Sequence, residues 1–80
     1  MKRIAEAIQM AMSVRGWSVE ALAIRAYMSP AHLYRRLAMP ETFTLGEFAA
    51  VAGALGWKKE HAMGVLEDAI TAYKAERRQQ

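Results

Sequence analysis

Eighty residues carry 11 Lys and Arg against 8 Asp and Glu, a formal charge of +3, with 54% hydrophobic and 24% charged side chains. This is the balance of one small globular domain and not of a disordered chain; at this length a domain buries only roughly 60% of its unfolded surface and is marginal alone. The absence of cysteine excludes disulfides and thiolate metal sites, no apolar run approaches the roughly 18 residues of a membrane span, and the length leaves little room for a large-cofactor enzyme.

The charge is uneven. Residues 1–40 hold six basic side chains and two acidic ones, a balance of +4, whereas residues 41–80 hold five basic and six acidic, a balance of −1. A basic half on a small domain is the footprint expected of a polyanion binder, although an ordinary solvated surface has the same balance. The basic start, Met1-Lys2-Arg3-Ile4, runs into Glu6 and Gln9 at helical spacing and does not read as a signal peptide.

Helical periodicity dominates. The first segment runs from about Lys2 to Arg15, with Ile4, Ile8, Ala11 and Met12 on one apolar face; Gly16 suits the position just past a helix end. The second starts at the N-cap Ser18, with Trp17 and Leu22 placed as a hydrophobic staple, and ends near Ala26. Its inner face is Leu22, Ala23 and Ala26.

The third segment starts at the N-cap Ser29, with Pro30 at the first helical position, where a missing N–H does no harm. Met28 and Leu33 form a second staple. Leu33 and Leu37, one turn apart, face inward. Ala31, His32, Tyr34, Arg35 and Arg36 are left to the other faces. Met39-Pro40-Glu41-Thr42-Phe43 is a connection.

The fourth segment begins at Thr44, which with Glu47 spells a capping box, while Phe43 and Phe48 form a third staple. Leu45, Phe48, Val51, Ala52 and Leu55 are expected to line its buried face, and Gly56 ends it. The fifth runs from about Lys58 to Arg77, roughly 30 Å at ~1.5 Å per residue, with a polar tail whose last residues are expected to fray. Met63, Leu66, Ile70 and Tyr73 form a stripe, flanked by Val65, Ala69 and Ala72. The stripe either packs back on its own domain or meets a second copy, and the acidic balance of this half favours the second.

A short helix, the three-residue turn Tyr27-Met28-Ser29 and a second short helix make the helix-turn-helix plan. Ala23 is the small residue where the helices cross. The start of the second helix is then aimed outward, where such a helix fits the DNA major groove.

Ser18-Val19-Glu20-Ala21-Leu22-Ala23, Met28-Ser29, Leu33-Tyr34-Arg35-Arg36-Leu37 and the run from Phe43-Thr44-Leu45-Gly46-Glu47-Phe48 to Ala54-Leu55-Gly56 resemble the lambda-repressor-like helix-turn-helix domains of Cro and immunity-repressor type. The resemblance is to the small regulators of actinobacterial phages and their hosts and spans roughly residues 3–57. It departs from the family at three places. Val19 stands where Gln often reaches a phosphate, Tyr27 stands where the turn usually has Gly, and Arg36 stands where many relatives are apolar. Tyr27 must adopt a positive φ, or the turn must differ.

The resemblance implies an all-α, five-helix domain, with residues 1–57 as the DNA-binding unit and residues 58–80 as a C-terminal helix for packing or dimerisation. It implies a Cro-like repressor in the cytoplasm of a bacterial host, occupying an operator in double-stranded DNA without cofactor, small-molecule ligand or catalysis. The base-reading surface would be Ser29, Pro30, Ala31, His32, Tyr34 and Arg35, with Arg35 placed for a bidentate contact to guanine or a phosphate. Ser18 and Thr44, at helix starts, and Arg25 and Arg36 would meet the phosphate backbone.

The ordinary alternatives are a cap for Ser29, a solvated pair for Arg35 and Arg36, and packing for Tyr34. His32 and His61 stand 29 positions apart without carboxylates at ligand spacing, which argues against a metal site. A protein-interaction module, binding a repressor, polymerase or host factor through the helix-turn-helix face or the last helix, is the competing class. An excision or architectural role is a third, still DNA-binding. No nucleophile–base pair, metal cluster or glycine-rich phosphate loop speaks for an enzyme.

Overall fold

The computed structural model describes residues 1–78. Five α-helices follow in chain order: α1 (Lys2–Arg15), α2 (Val19–Arg25), α3 (Pro30–Ala38), α4 (Leu45–Ala54) and α5 (Lys59–Arg78). A short 3-10 turn, Pro40–Thr42, separates α3 from α4. The fold is all-α, and the long last helix is its largest element.

Three of the helix starts are set by side chains. Ser18 Oγ accepts from the Ala21 N–H, and Ser29 Oγ from the His32 N–H, each at 3.1 Å. At α4 the capping box closes in both directions: Thr44 Oγ1 accepts from the Glu47 N–H at 3.0 Å, and Glu47 Oε1 accepts from the Thr44 N–H at 2.9 Å. Each satisfies donors that the first helical turn leaves unpaired.

Three helix ends share one closure. After α1, the Trp17 N–H reaches back to the Met12 carbonyl; after α4, the Trp57 N–H reaches the Ala52 carbonyl; after α2, the Met28 N–H reaches the Ala23 carbonyl. This five-residue step requires a left-handed residue just before the donor. Gly16 at φ 69° and Gly56 at φ 75° supply it at two ends, and Tyr27 at φ 57° supplies it at the third. The residue that follows, Trp17, Trp57 or Met28, turns in against the core each time.

The core is wholly apolar among the described residues. Ile4, Ile8 and Met12 of α1, Leu22 and Ala23 of α2, Leu33 and Leu37 of α3, and Phe48, Val51 and Leu55 meet there, with Ala69 of α5. α2 packs on α3 and α4, and α5 packs chiefly on α1. Arg15 ties two helix ends together: its Nη1 donates to the Ala11 carbonyl at 3.1 Å and its Nη2 to the Leu55 carbonyl.

One expectation is corrected, and one is divided between its two readings. Leu45, read as part of the inner face of α4, is 78% exposed. It opens the helix, and it stands at the rim shared by two shallow apolar depressions, one towards Pro40 and Ile70 and one towards Trp57 and Met63. The α5 stripe is also divided. Val65, Leu66 and Ala69 pack back on the core, while Met63 and Ile70 stay about half exposed. The helix extends through Arg78; the last residues of the tail, Gln79 and Gln80, where fraying is expected, lie outside the described residues.

Candidate functional site

The site is built on α3. Leu33 and Leu37 are buried and seat one side of the helix in the core. Ser29, Pro30, Ala31, Tyr34 and Arg35 are exposed on its other sides. The amphipathic split that separates them is the i, i+4 spacing of the two leucines. Pro30 at the first helical position leaves no N–H there to satisfy.

His32 and Arg36 are only half-buried, and both turn towards α4. His32 Nε2 donates to Glu47 Oε2. Arg36 Nε donates to Glu47 Oε1 at 2.9 Å, its Nη2 lies 3.4 Å from Oε2, and its Nη1 donates to Thr42 Oγ1 at 3.3 Å. The carboxyl of Glu47 is held down at about 2, chiefly by the hydrogen bond from Arg36, then by the Thr44 backbone N–H and by His32. It is an anion at neutral pH and balances the charge of Arg36.

The exposed side chains are tethered more loosely. Arg35 Nη2 donates to His32 Nδ1 at 3.3 Å. The Tyr34 hydroxyl donates to Glu20 Oε1 of α2 at 3.3 Å. Both interactions are long for their type, so they orient the two side chains without burying or immobilising them.

A second basic element borders α2. The Arg25 guanidinium lies 4.2 Å from the Trp17 ring centroid and that of Arg15 lies 5.6 Å from it, both within cation–π range. Arg25 also donates from Nη1 to the Ala21 carbonyl at 3.1 Å. Ser18 and Thr44 are occupied as acceptors by their own helices, but a serine or threonine hydroxyl keeps its proton to donate.

Of the residues singled out in the sequence, Ser29, Pro30, Ala31, Tyr34 and Arg35 share one exposed face. Arg36 and His32 are engaged by Glu47, and Arg25 stands apart on α2. Two participants were not picked out for the site: Glu47, visible only as a capping residue, and Glu20. Their partners lie 11, 14 and 15 positions away, and no local spacing rule reports such pairs.

Among the described residues, no three of His, Asp and Glu gather closely enough to share a metal ion, and no helix is long and apolar enough to cross a membrane. Comparison with family models, with curated proteins and with solved structures finds no match.

Proposed function

We propose that this chain is a sequence-specific DNA-binding regulator of the Cro type, a non-catalytic protein that occupies an operator with α3 in the major groove. The observation that carries this reading is the outward face of α3. A short helix is anchored by Leu33 and Leu37, and its first two turns present Ser29, Pro30, Ala31, Tyr34 and Arg35 to solvent. A helix of this width fits the major groove, and its first residues meet base edges there. Arg35 reads guanine, Pro30 and Ala31 meet thymine methyl groups, and the hydroxyls of Ser29 and Tyr34 hydrogen-bond to bases or phosphates.

The surroundings supply the sequence-independent part. Arg25 contributes charge at the phosphate backbone. The starts of α2 and α4, at Ser18 and Thr44, offer first-turn N–H groups and a hydroxyl each. Arg36 adds less charge than a free arginine, because Glu47 offsets it, and His32 serves Arg35 before it serves a base. Exposed Met63 and Ile70 of α5, with Leu45, form the surface through which two copies pair in the host cytoplasm. In such a dimer the two α3 helices would lie about 34 Å apart, over a near-palindromic operator.

Selection of bound duplexes from a random DNA pool tests the reading. The expected result is one enriched motif whose binding weakens steeply with salt. Enrichment of no motif, with no salt-sensitive gel shift, would remove it.

The competing reading is a protein-interaction module, and the apolar exposure favours it. Tyr27 is 97% exposed and Ile24 is 71% exposed, and neither belongs to the α3 face assigned to the bases. A stable protein partner captured by a chain that binds no duplex would establish this class instead.

A further inference from the structure

Glu47 lies outside the exposed face of α3, yet its contacts decide how that face is set. Its Oε1 serves two donors, the Thr44 backbone N–H and Arg36 Nε, each at 2.9 Å. Its Oε2 takes His32 Nε2, with Arg36 Nη2 at 3.4 Å. A carboxylate only accepts, so the hydrogen between Glu47 and His32 belongs to Nε2. The other ring nitrogen, Nδ1, stands 3.3 Å from Arg35 Nη2. An arginine only donates, so Nδ1 must offer its lone pair. Both neighbours of the ring therefore demand the same tautomer, and the hydrogen bond at one nitrogen sets what the other can do.

We infer that Glu47 is a positioning residue: by dictating the tautomer of His32, it sets the direction in which Arg35 presents its guanidinium. The consequence for base choice rests on the DNA-binding reading, whereas the arrangement of the three side chains does not.

The decisive variant is Glu47→Gln. Gln is accepted at this position of a capping box. Its single carbonyl oxygen is claimed at the Oε1 position by the Thr44 N–H and Arg36 Nε, so the amide NH2 falls opposite His32 Nε2 and donates to it, giving up only the longer contact with Arg36 Nη2 at 3.4 Å. The ring hydrogen must then move to Nδ1, where it meets Arg35 donor to donor. Arg35 loses its tether, and no atom of it has been changed.

Two measurements read this out. Imidazole nitrogen spectra of the free, folded protein, taken at a pH where the ring is neutral, should show hydrogen on Nε2 in the wild type and on Nδ1 in Glu47→Gln. In pool selection, Glu47→Gln should relax discrimination roughly tenfold at the same base position that Arg35→Ala relaxes, leaving the other positions alone. The double variant should then be no worse than Arg35→Ala at that position. A merely structural role for Glu47 would lower affinity evenly across sequences. Should Glu47→Gln not fold, His32→Ala keeps every other contact of Glu47 and should still relax the Arg35 position.

Hydrogen on Nδ1 in the wild type, or a folded Glu47→Gln with unchanged tautomer and unchanged motif, would overturn the inference. A wild type that enriches no duplex removes the DNA-binding reading alone, and the imidazole spectra then decide the positioning role by themselves.

Discussion

Arg36 Nε donates to Glu47 Oε1 at 2.9 Å and fastens the exposed helix α3 to the start of α4. The same oxygen accepts from the Thr44 N–H that begins α4. One carboxylate thus caps its own helix and fixes the orientation of its neighbour, so its ionisation bears on both.

The pH dependence follows from its sign. Glu47 is lowered from 4.5 to about 2 in the folded protein, so the folded state holds this proton less readily than the unfolded chain. Its contribution to stability is complete above about 4.5, falls as the pH drops through the interval, and is gone below about 2. Acid titrations of the thermal midpoint in the wild type and Glu47→Gln should therefore converge between those values. Parallel curves would show that the pair contributes nothing through charge.

Tyr27 invites the opposite kind of substitution. It takes at the end of α2 the left-handed place that Gly16 and Gly56 take at the ends of α1 and α4, and its side chain is almost wholly solvated. Left-handed backbone costs a residue with Cβ about 1–2 kcal/mol. Tyr27→Gly should raise stability by about 1 kcal/mol, visible as a thermal midpoint higher by roughly 4–8 °C in a domain this small. Tyr27→Ala keeps the Cβ and should bring no such gain. A function that suffers from the stabilising change would mark Tyr27 as a contact residue.

Leu33 and Leu45 separate burial from hydrophobicity. Leu33 is fully buried at the junction of α3 with the core, and Leu33→Ala should cost about 2–5 kcal/mol, enough to unfold much of so small a domain. Leu45→Ala, measured at a concentration where the chain is monomeric, should stay within about 0.5 kcal/mol. Denaturant unfolding of the two variants checks both figures.

Arg35 and Arg25 separate reading from steering. On a selected operator, Arg35→Ala should cost about 1–3 kcal/mol and relax one base position, whereas Arg25→Ala should weaken all sequences alike and reduce the salt slope by about 1. Equal losses on every sequence for Arg35→Ala would reduce Arg35 to a phosphate contact. Competition binding at two or more salt concentrations distinguishes these outcomes.

The boundaries of the helices were legible in the residues alone. Ser18, Ser29 and Thr44 each satisfy a donor three positions on, and Gly16 and Gly56 each supply a conformation that its own lack of a Cβ permits; these causes act within one turn of chain. The inward pair Leu33 and Leu37 was legible too, because helical period alone puts them on one side, whereas at Tyr27 the resemblance left a positive φ or a different turn open and the structure takes the first. Leu45 shows where periodicity stops: its phase is that of Phe48 and Ala52, but only the path of α5 decides whether anything lies over the first turn of α4. The site divides in the same way. That Pro30, Ala31, Tyr34 and Arg35 face outward is a property of one helix, whereas the capture of His32 and Arg36 by Glu47 is not. That depends on how α3 and α4 pack, since a charge pairs with whatever the fold brings within about 4 Å, however far apart the two residues stand in the chain.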